Sequence, residues 1–290
     1  MKSMFYLIIM NVAVMATMYI AIFILSLFGI DVMAMFGHGN KGIFIMAALF
    51  GFGGAFISLF LSKWMIKRSM HLFMIDETCT GDDKWLYDVV ADLADKANIG
   101  MPEVAIYEGA PNAFATGWNR NHSLVAVSSG LMEQMSDEEI EGIVAHEISH
   151  IVNGDMVTMT LMQGVLNTFV IFFARIIGGV IDKAIFRTEG GTGIAYFFIV
   201  MILQMLFSAL ASILLMWFSR HREYKADEGA VKLNGKNGIY DALSRLGSVD
   251  QKELALSADM KSMGFVGFLG LFSSHPPIEK RLKNIENFNK

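Results

Sequence analysis

The sequence holds a single cysteine, Cys79, in 290 residues. No disulfide can form within the chain, and a cysteine-rich metal site is excluded; Cys79 reads as a plain structural or surface thiol. Proline is nearly as scarce. All four (Pro102, Pro111, Pro276 and Pro277) fall outside the long hydrophobic runs, so the breakers mark soluble loops. Charge is thin too: 18% of residues are charged and 54% hydrophobic, where an ordinary soluble domain carries about 25% charged residues. The net charge of −5 leaves no basic footprint for nucleic acid, so no such partner is expected. No internal repeat or low-complexity segment is apparent. Methionine is in excess, at 22; its soft, flexible side chain suits lipid-facing and irregular packing but assigns no function.

The apolar excess is gathered into four blocks, at residues 5–30, 42–62, 157–181 and 193–219. A spanning helix needs roughly 20 apolar residues, and the first, second and fourth blocks carry no charge. The first is too long for the apolar core of a signal peptide, lacks a convincing cleavage site and is followed closely by a second span; it is read as retained. The third contains Thr158, Thr160, Gln163, Asn167 and Thr168 and is interrupted by Arg175, so it reads either as a span or as a buried or interfacial helix. Orientation follows from the basic residues beside the spans. Lys63, Lys67 and Arg68 follow the second block, and Arg220, Arg222 and Lys225 follow the fourth. The opposite loops hold Lys41 beside Asp31, and Lys183 and Arg187 offset by Asp182 and Glu189. Both termini, residues 63–156 and residues 220–290 are therefore expected in the cytoplasm. The chain divides accordingly: 1–70, two spans and a cytoplasmic junction; 71–155, a first soluble part; 156–219, a hydrophobic hairpin; 220–290, a second soluble part.

Residues 71–155 read as α+β. Residues 83–98 have helical periodicity, with Trp85, Val89, Leu93 and Ala97 on one stripe, ended by Gly100 and Pro102. Residues 103–107 and 123–128 read as strands, separated by the turn-rich stretch PNAFATGWNRN at 111–121. Ser136 is a good helix N-cap, and Glu139 three residues on completes a capping box; Asp137 and Glu138 also favour a helix N-terminus.

That helix carries HEISH, residues 146–150. His146 and His150 are four apart, so a helix sets them on one face, about one turn apart. Two imidazoles there can hold one zinc ion at about 2.0–2.1 Å. Glu147 adjoins the first and is placed to act as a base toward water on the metal, the logic of the H-E-x-x-H motif. The plain alternative is a pair of surface or core histidines. A catalytic zinc needs a third protein ligand and an open position. The best candidate lies in SRHREYKADEGA, residues 219–230, where Glu223 and Asp227 share a helical face. Glu223 could ligate the metal, and Asp227 could hold a ligand histidine through its outer nitrogen. A run of such residues is ordinarily a solvated helix face. Topology weighs against that reading here: if both later blocks span, or neither does, the chain returns to one side, and His146, His150 and Glu223 can meet.

HEISH on its amphipathic helix, SRHREYKAD after a late hydrophobic block, NAFATG at 112–117 and SSHPPIEKRL near the C-terminus together resemble the HtpX family. These are bacterial inner-membrane zinc proteases, relatives of the CAAX prenyl proteases of the endoplasmic reticulum. The likeness covers essentially the whole chain, hydropathy plan included. It implies an α-helical membrane protein with an α+β, cytoplasmic, zincin-like metalloprotease domain. His146, His150 and Glu223 would hold one Zn2+ per subunit, with Glu147 as the catalytic acid/base. It also implies a stress-response role in quality control: misfolded or damaged membrane proteins as substrates, membrane lipid as surroundings, other quality-control proteases as partners, and an active site facing the cytoplasm.

Several further residues are candidates for the site. An oxyanion needs a further donor; His275 in SSHPP is one candidate beside Arg220, Arg222 and Tyr224, and a structural role before two prolines is the alternative for His275. Residues 112–117, with Asn112, Ala113 and Phe114 as substrate-binding candidates, form either an ordinary turn or an edge strand or loop that pairs with substrate backbone, Asn112 adding a side-chain hydrogen bond. His38, His71, His122 and His221 have no partner pattern and read as surface or interfacial. Two rival functions fit less well: a membrane scaffold or chaperone has no use for Glu147, and a metal transporter should bury ionisable groups within its spans, where only Arg175 stands.

Overall fold

The computed structural model describes residues 27, 28, 39–186, 194–256 and 275–288. The first hydrophobic block lies outside them except for Leu27 and Phe28, as do Asp31, His38, Arg187 and Glu189. In chain order the elements are α1 (Asn40–Ser69), β1 (Phe73–Ile75), α2 (Asp82–Lys96), β2 (Glu103–Tyr107), β3 (Ala113–Asn119), β4 (His122–Ser128), α3 (Ser129–Gln134), α4 (Asp137–Asn153), α5 (Asp155–Ile181), a π-helical turn (Asp182–Phe186), α6 (Ile194–Asn234), α7 (Asn237–Leu256) and α8 (Ile278–Asn287). The remaining three hydrophobic blocks are thus α1, α5 and α6, each long and apolar enough to cross a membrane.

The chain divides into two units, one of residues 1–57 and 160–215, the other of 58–159 and 216–290. In the first, α1 meets α5 where Gly51 lies against Thr168 and Phe52 against Gly164, with no room for a Cβ at either glycine. α5 meets α6 through Ala174 and Val200, both fully or almost fully buried. The outer face of α6 is the opposite case. Ile202, Leu206, Leu210 and Leu214, four residues apart in turn, are 54–61% exposed. A continuous stripe of large aliphatic side chains in the open is unfavourable in water and natural in lipid.

The second unit holds a four-stranded sheet in the order β1-β2-β4-β3. β2 and β4 run parallel, Glu103 opposite Leu124 and Tyr107 opposite Ser128. β3 folds back antiparallel on β4, Ala113 opposite Val127, and forms the sheet's edge. Successive side chains point to opposite faces. Val104, Val125 and Val127 face a core with α2, α4 and α7, whereas Ala105, Leu124 and Ala126 face Ile66 and Met70 at the end of α1. Each such aliphatic side chain, fully buried, contributes roughly 1.5–3 kcal/mol. The end of α1 is fastened there by Lys63 to Glu103 (3.1 Å) and by Thr116 Oγ1 to Ser62 Oγ (3.2 Å).

Of the two readings of residues 112–117, the structure has the edge strand: the turn-rich stretch 111–121 contains the seven-residue β3, whose alanines and Phe114 alternate between the two cores. One sequence expectation shifts. In α2 the fully buried residues are Leu86, Val90, Leu93 and Ala94, while Trp85, Val89 and Ala97 pack at the margin. Tryptophan's bulk places it at the rim, and the stripe is rotated by about one residue.

Candidate metal centre

The centre starts from α4. Ser136 accepts from the Glu139 amide and the Glu139 carboxylate accepts from the Ser136 amide, closing the capping box. Arg245 adds a bond to Glu139 Oε1 at 2.9 Å. The buried side of α4, including Ile140, Val144, Ile148 and Ile151, fixes its rotation against the sheet and α7. His146 and His150 then emerge together, Nε2 to Nε2 3.1 Å apart, with ring planes at 88°. Glu147 is half-buried between them in sequence.

α6 brings the third group. It does not stop where the hydrophobic block ends; one unbroken helix runs from Ile194 to Asn234, so Glu223 and Asp227 ride on a continuation of the apolar helix. Gly229 lets this helix close on α4: a Cβ there would stand 2.5 Å from Ser149 Oγ. Glu223 is 3% exposed. Its Oε2 lies 3.5 Å from His146 Nε2 and its Oε1 3.5 Å from His150 Nε2. Donor atoms of His146, His150 and Glu223 all lie within 4.8 Å of one another, which is compatible with one metal ion.

Each imidazole also has a carboxylate at its other nitrogen. His146 Nδ1 is 2.9 Å from Asp227 Oδ1, and His150 Nδ1 is 2.5 Å from Asp155 Oδ2. Asp227 is itself gripped by Arg281 of α8, Nη2 to Oδ1 at 2.6 Å and Nε to Oδ2 at 2.9 Å. His275 Nδ1 donates to Glu223 Oε2 at 2.8 Å.

The charges of the centre are strongly coupled. Burial opposes a charge on His146, yet Asp227 and Glu223 outweigh it and lift its pKa to about 9. Burial likewise opposes ionisation of Glu223, but His146 and His275 hold its carboxyl far below the usual carboxylate range. Asp227 is lowered against burial by Arg281 and His146. Two imidazole nitrogens with a carboxylate oxygen are a donor set suited to a divalent metal.

The sequence matches the model of Peptidase family M48 over residues 81–289. The chain belongs to that family. It is 48% identical over 273 residues to the Protease HtpX of Stenotrophomonas maltophilia strain R551-3, covering 92% of this chain and 93% of that protein. It is 44% identical over 292 residues to the Protease HtpX homolog of Bordetella petrii, covering 99% of each. The fold resembles the crystal structure of S. mikatae Ste24p, with a TM-score of 0.66 at 18% identity over 97% of this chain and 67% of that one. This M48 chain is therefore a membrane metallopeptidase, a hydrolase with a metal cofactor that acts on proteins, as the motifs led one to expect.

Within the M48 framework, the structure draws His146, His150, Glu223, Asp227 and His275 into one cluster. Asn112, Ala113 and Phe114 stand at the start of β3, which packs against α4; the Asn112 backbone exchanges bonds with Ser128 and its side chain is exposed. Arg222 is engaged by Asp155, its Nη1 donating to the Asp155 carbonyl at 2.7 Å. His71, His122 and His221 are exposed, His122 stacked on Trp118 and His221 on Trp217. Sequence reasoning missed Asp155 and Arg281. The signal for Arg281 lay inside SSHPPIEKRL; the signal for Asp155 was a carboxylate just past the glycine that ends the HEISH helix.

Proposed function

We propose that this M48 peptidase is a zinc-dependent endopeptidase of the bacterial cytoplasmic membrane. Its active site faces the cytoplasm and it cuts misfolded or damaged membrane proteins. The observation that carries the reading is the meeting of His146, His150 and Glu223 donors within 4.8 Å, with Glu147 on the same helix. Zinc held by those three side chains would supply a Lewis acid toward the scissile carbonyl and acidify water at the site. Glu147 takes the proton of the attacking water on a carboxylate oxygen and delivers it to the leaving amine nitrogen. His275, anchored through Nδ1 and with its side chain 61% exposed, donates from Nε2 to the oxygen that gains charge. Substrate lies extended along the outer edge of β3 beside Asn112, Ala113 and Phe114, bonded backbone to backbone through Ala113, with the exposed side-chain amide of Asn112 as a further donor. Such pairing holds any unfolded segment with little regard to sequence, which suits a quality-control enzyme. The cytoplasmic side follows from Lys63, Lys67, Arg68, Arg220, Arg222 and Lys225 beside the apolar helices.

The test uses the full chain in detergent with a loosely folded protein as substrate. Cleavage should stop with a chelator and return with zinc. Glu147→Gln should lower the rate at least 100-fold, the scale of a lost general base, while binding zinc as the wild type does. Undiminished cleavage by that variant would remove Glu147 from the mechanism.

A further inference from the structure

His146 takes its supporting carboxylate from Asp227, one turn beyond Glu223 on the same helix. His150 takes its own from an unexpected place, the first residue of the apolar helix α5. Were α4 to continue unbroken, Asp155, five residues past His150, would lie about 140° around the axis, away from the ring. Gly154 prevents this. It ends α4 at φ 68°, ψ 32°, its amide bonding the carbonyls of His150 and Ile151, and the turn brings Asp155 back to the imidazole at 2.5 Å. The left-handed region costs a residue with a side chain roughly 1–2 kcal/mol, so glycine is the residue that fits.

Asp155 is fixed in turn. It is 6% exposed. Arg222, the residue before Glu223, donates to its carbonyl at 2.7 Å and sets Nε 3.7 Å from Oδ1. The plain duty of an acid at a helix start is to face solvent and offset the dipole; a buried carboxylate on an imidazole nitrogen does something more.

We infer that Asp155 is a positioning residue for the metal centre. It accepts the Nδ1–H of His150, fixing the tautomer and ring angle that present Nε2 to the ion, and Arg222 holds it there. Each imidazole thus has its own carboxylate; Arg281 grips that of Asp227 at both oxygens, whereas Arg222 holds Asp155 through its backbone carbonyl, with Nε 3.7 Å from the carboxylate. One such support is built from the ends of the two apolar helices α5 and α6, the other from α6 and α8. The inference rests on the reading that His146, His150 and Glu223 hold the metal.

Zinc alone is the probe, titrated against a competing chelator into full-length protein in detergent. Asp155→Ala should weaken zinc binding about 10–100-fold, the usual effect of removing such a support. Asp155→Asn, which keeps an acceptor without the charge, should weaken it less and carries the test if the alanine variant does not fold. Arg222→Gln should show a smaller loss than Asp155→Ala. A merely structural Asp155 would lower the melting temperature in excess chelator and leave the zinc Kd within twofold of wild type, which overturns the inference. His150→Ala and Glu223→Ala are measured alongside. If these also leave zinc binding intact, the metal-site reading fails; if they abolish it while the Asp155 variants do not, only the role of Asp155 fails.

Discussion

Arg281 shows how far a metal site depends on side chains that never reach the metal. Its guanidinium meets both oxygens of Asp227 and stands 3.6 Å from Glu223 Oε2. Two-point contact of this kind is strong because the planar fork matches a carboxylate. Arg281 is 7% exposed and Asp227 fully buried, so truncation strands a buried negative charge. Removing one partner of such a pair costs about 3–5 kcal/mol. Arg281→Ala should therefore lower the thermal midpoint of the metal-free, detergent-solubilised protein markedly, and Arg281→Lys, a point charge without the fork, should recover only part of the loss. A midpoint unchanged in Arg281→Ala would show that the pair does not hold α8. His146 and His150 were legible in the sequence because one helical turn relates them. Arg281 and Asp227 are 54 residues apart, and no local period announces such a partner. Asp155 is close in sequence, yet only the left-handed turn at Gly154 makes that closeness count.

At the scale of elements, α4 and its crossing with α6 decide whether the site exists. The capping box was readable because it is a four-residue pattern; the added hold of Arg245 on Glu139 was not. Burial favours the neutral form of Glu139, but the Ser136 amide, the Arg245 guanidinium and the Ser136 hydroxyl outweigh it and keep the carboxyl below its ordinary 4.5. With a folded pKa under the unfolded one, this group's stabilisation is present above pH about 4.5 and is lost as pH falls through the folded value. Glu139→Gln should flatten that acid limb of the stability profile while lowering stability at neutral pH; a parallel profile would show that other carboxylates set the limb. The crossing itself depends on Gly229. A methyl there would lie 2.5 Å from Ser149 Oγ and 2.8 Å from Ser149 Cβ, and overpacking of this kind costs about 1–3 kcal/mol. Gly229→Ala should lower the melting midpoint and weaken zinc binding together, since moving α6 from α4 carries Glu223 away from both imidazoles. The strand β3 was harder to read: glycine and asparagine near its end look like turn residues, and its strand character comes from packing on both faces, which sequence pattern records only faintly.

For the whole molecule, the question is how one site is assembled from two stretches separated by apolar helix. Residues 58–159 and 216–290 form one unit, and both HEISH and Glu223 lie in it, so the intervening chain must come back to the side it left. An odd number of crossings between them would forbid the cluster. The proposal that this side is the cytoplasm rests on the basic residues beside α1 and α6, and a single thiol supplies the means to check it. Cys79, between β1 and α2 in this unit, is the protein's single thiol and is half-buried. A membrane-impermeant maleimide should leave it unlabelled in right-side-out vesicles and label it in inverted ones, with detergent-opened vesicles giving full labelling in both. Labelling in right-side-out vesicles alone would turn the active site outward and end the cytoplasmic assignment. The same preparations carry a second reading: a loosely folded protein added outside should be cut by inverted vesicles and spared by right-side-out ones. Agreement of the two readings would tie Cys79 and the catalytic cluster to one face of the membrane, as their place in a single folded unit demands.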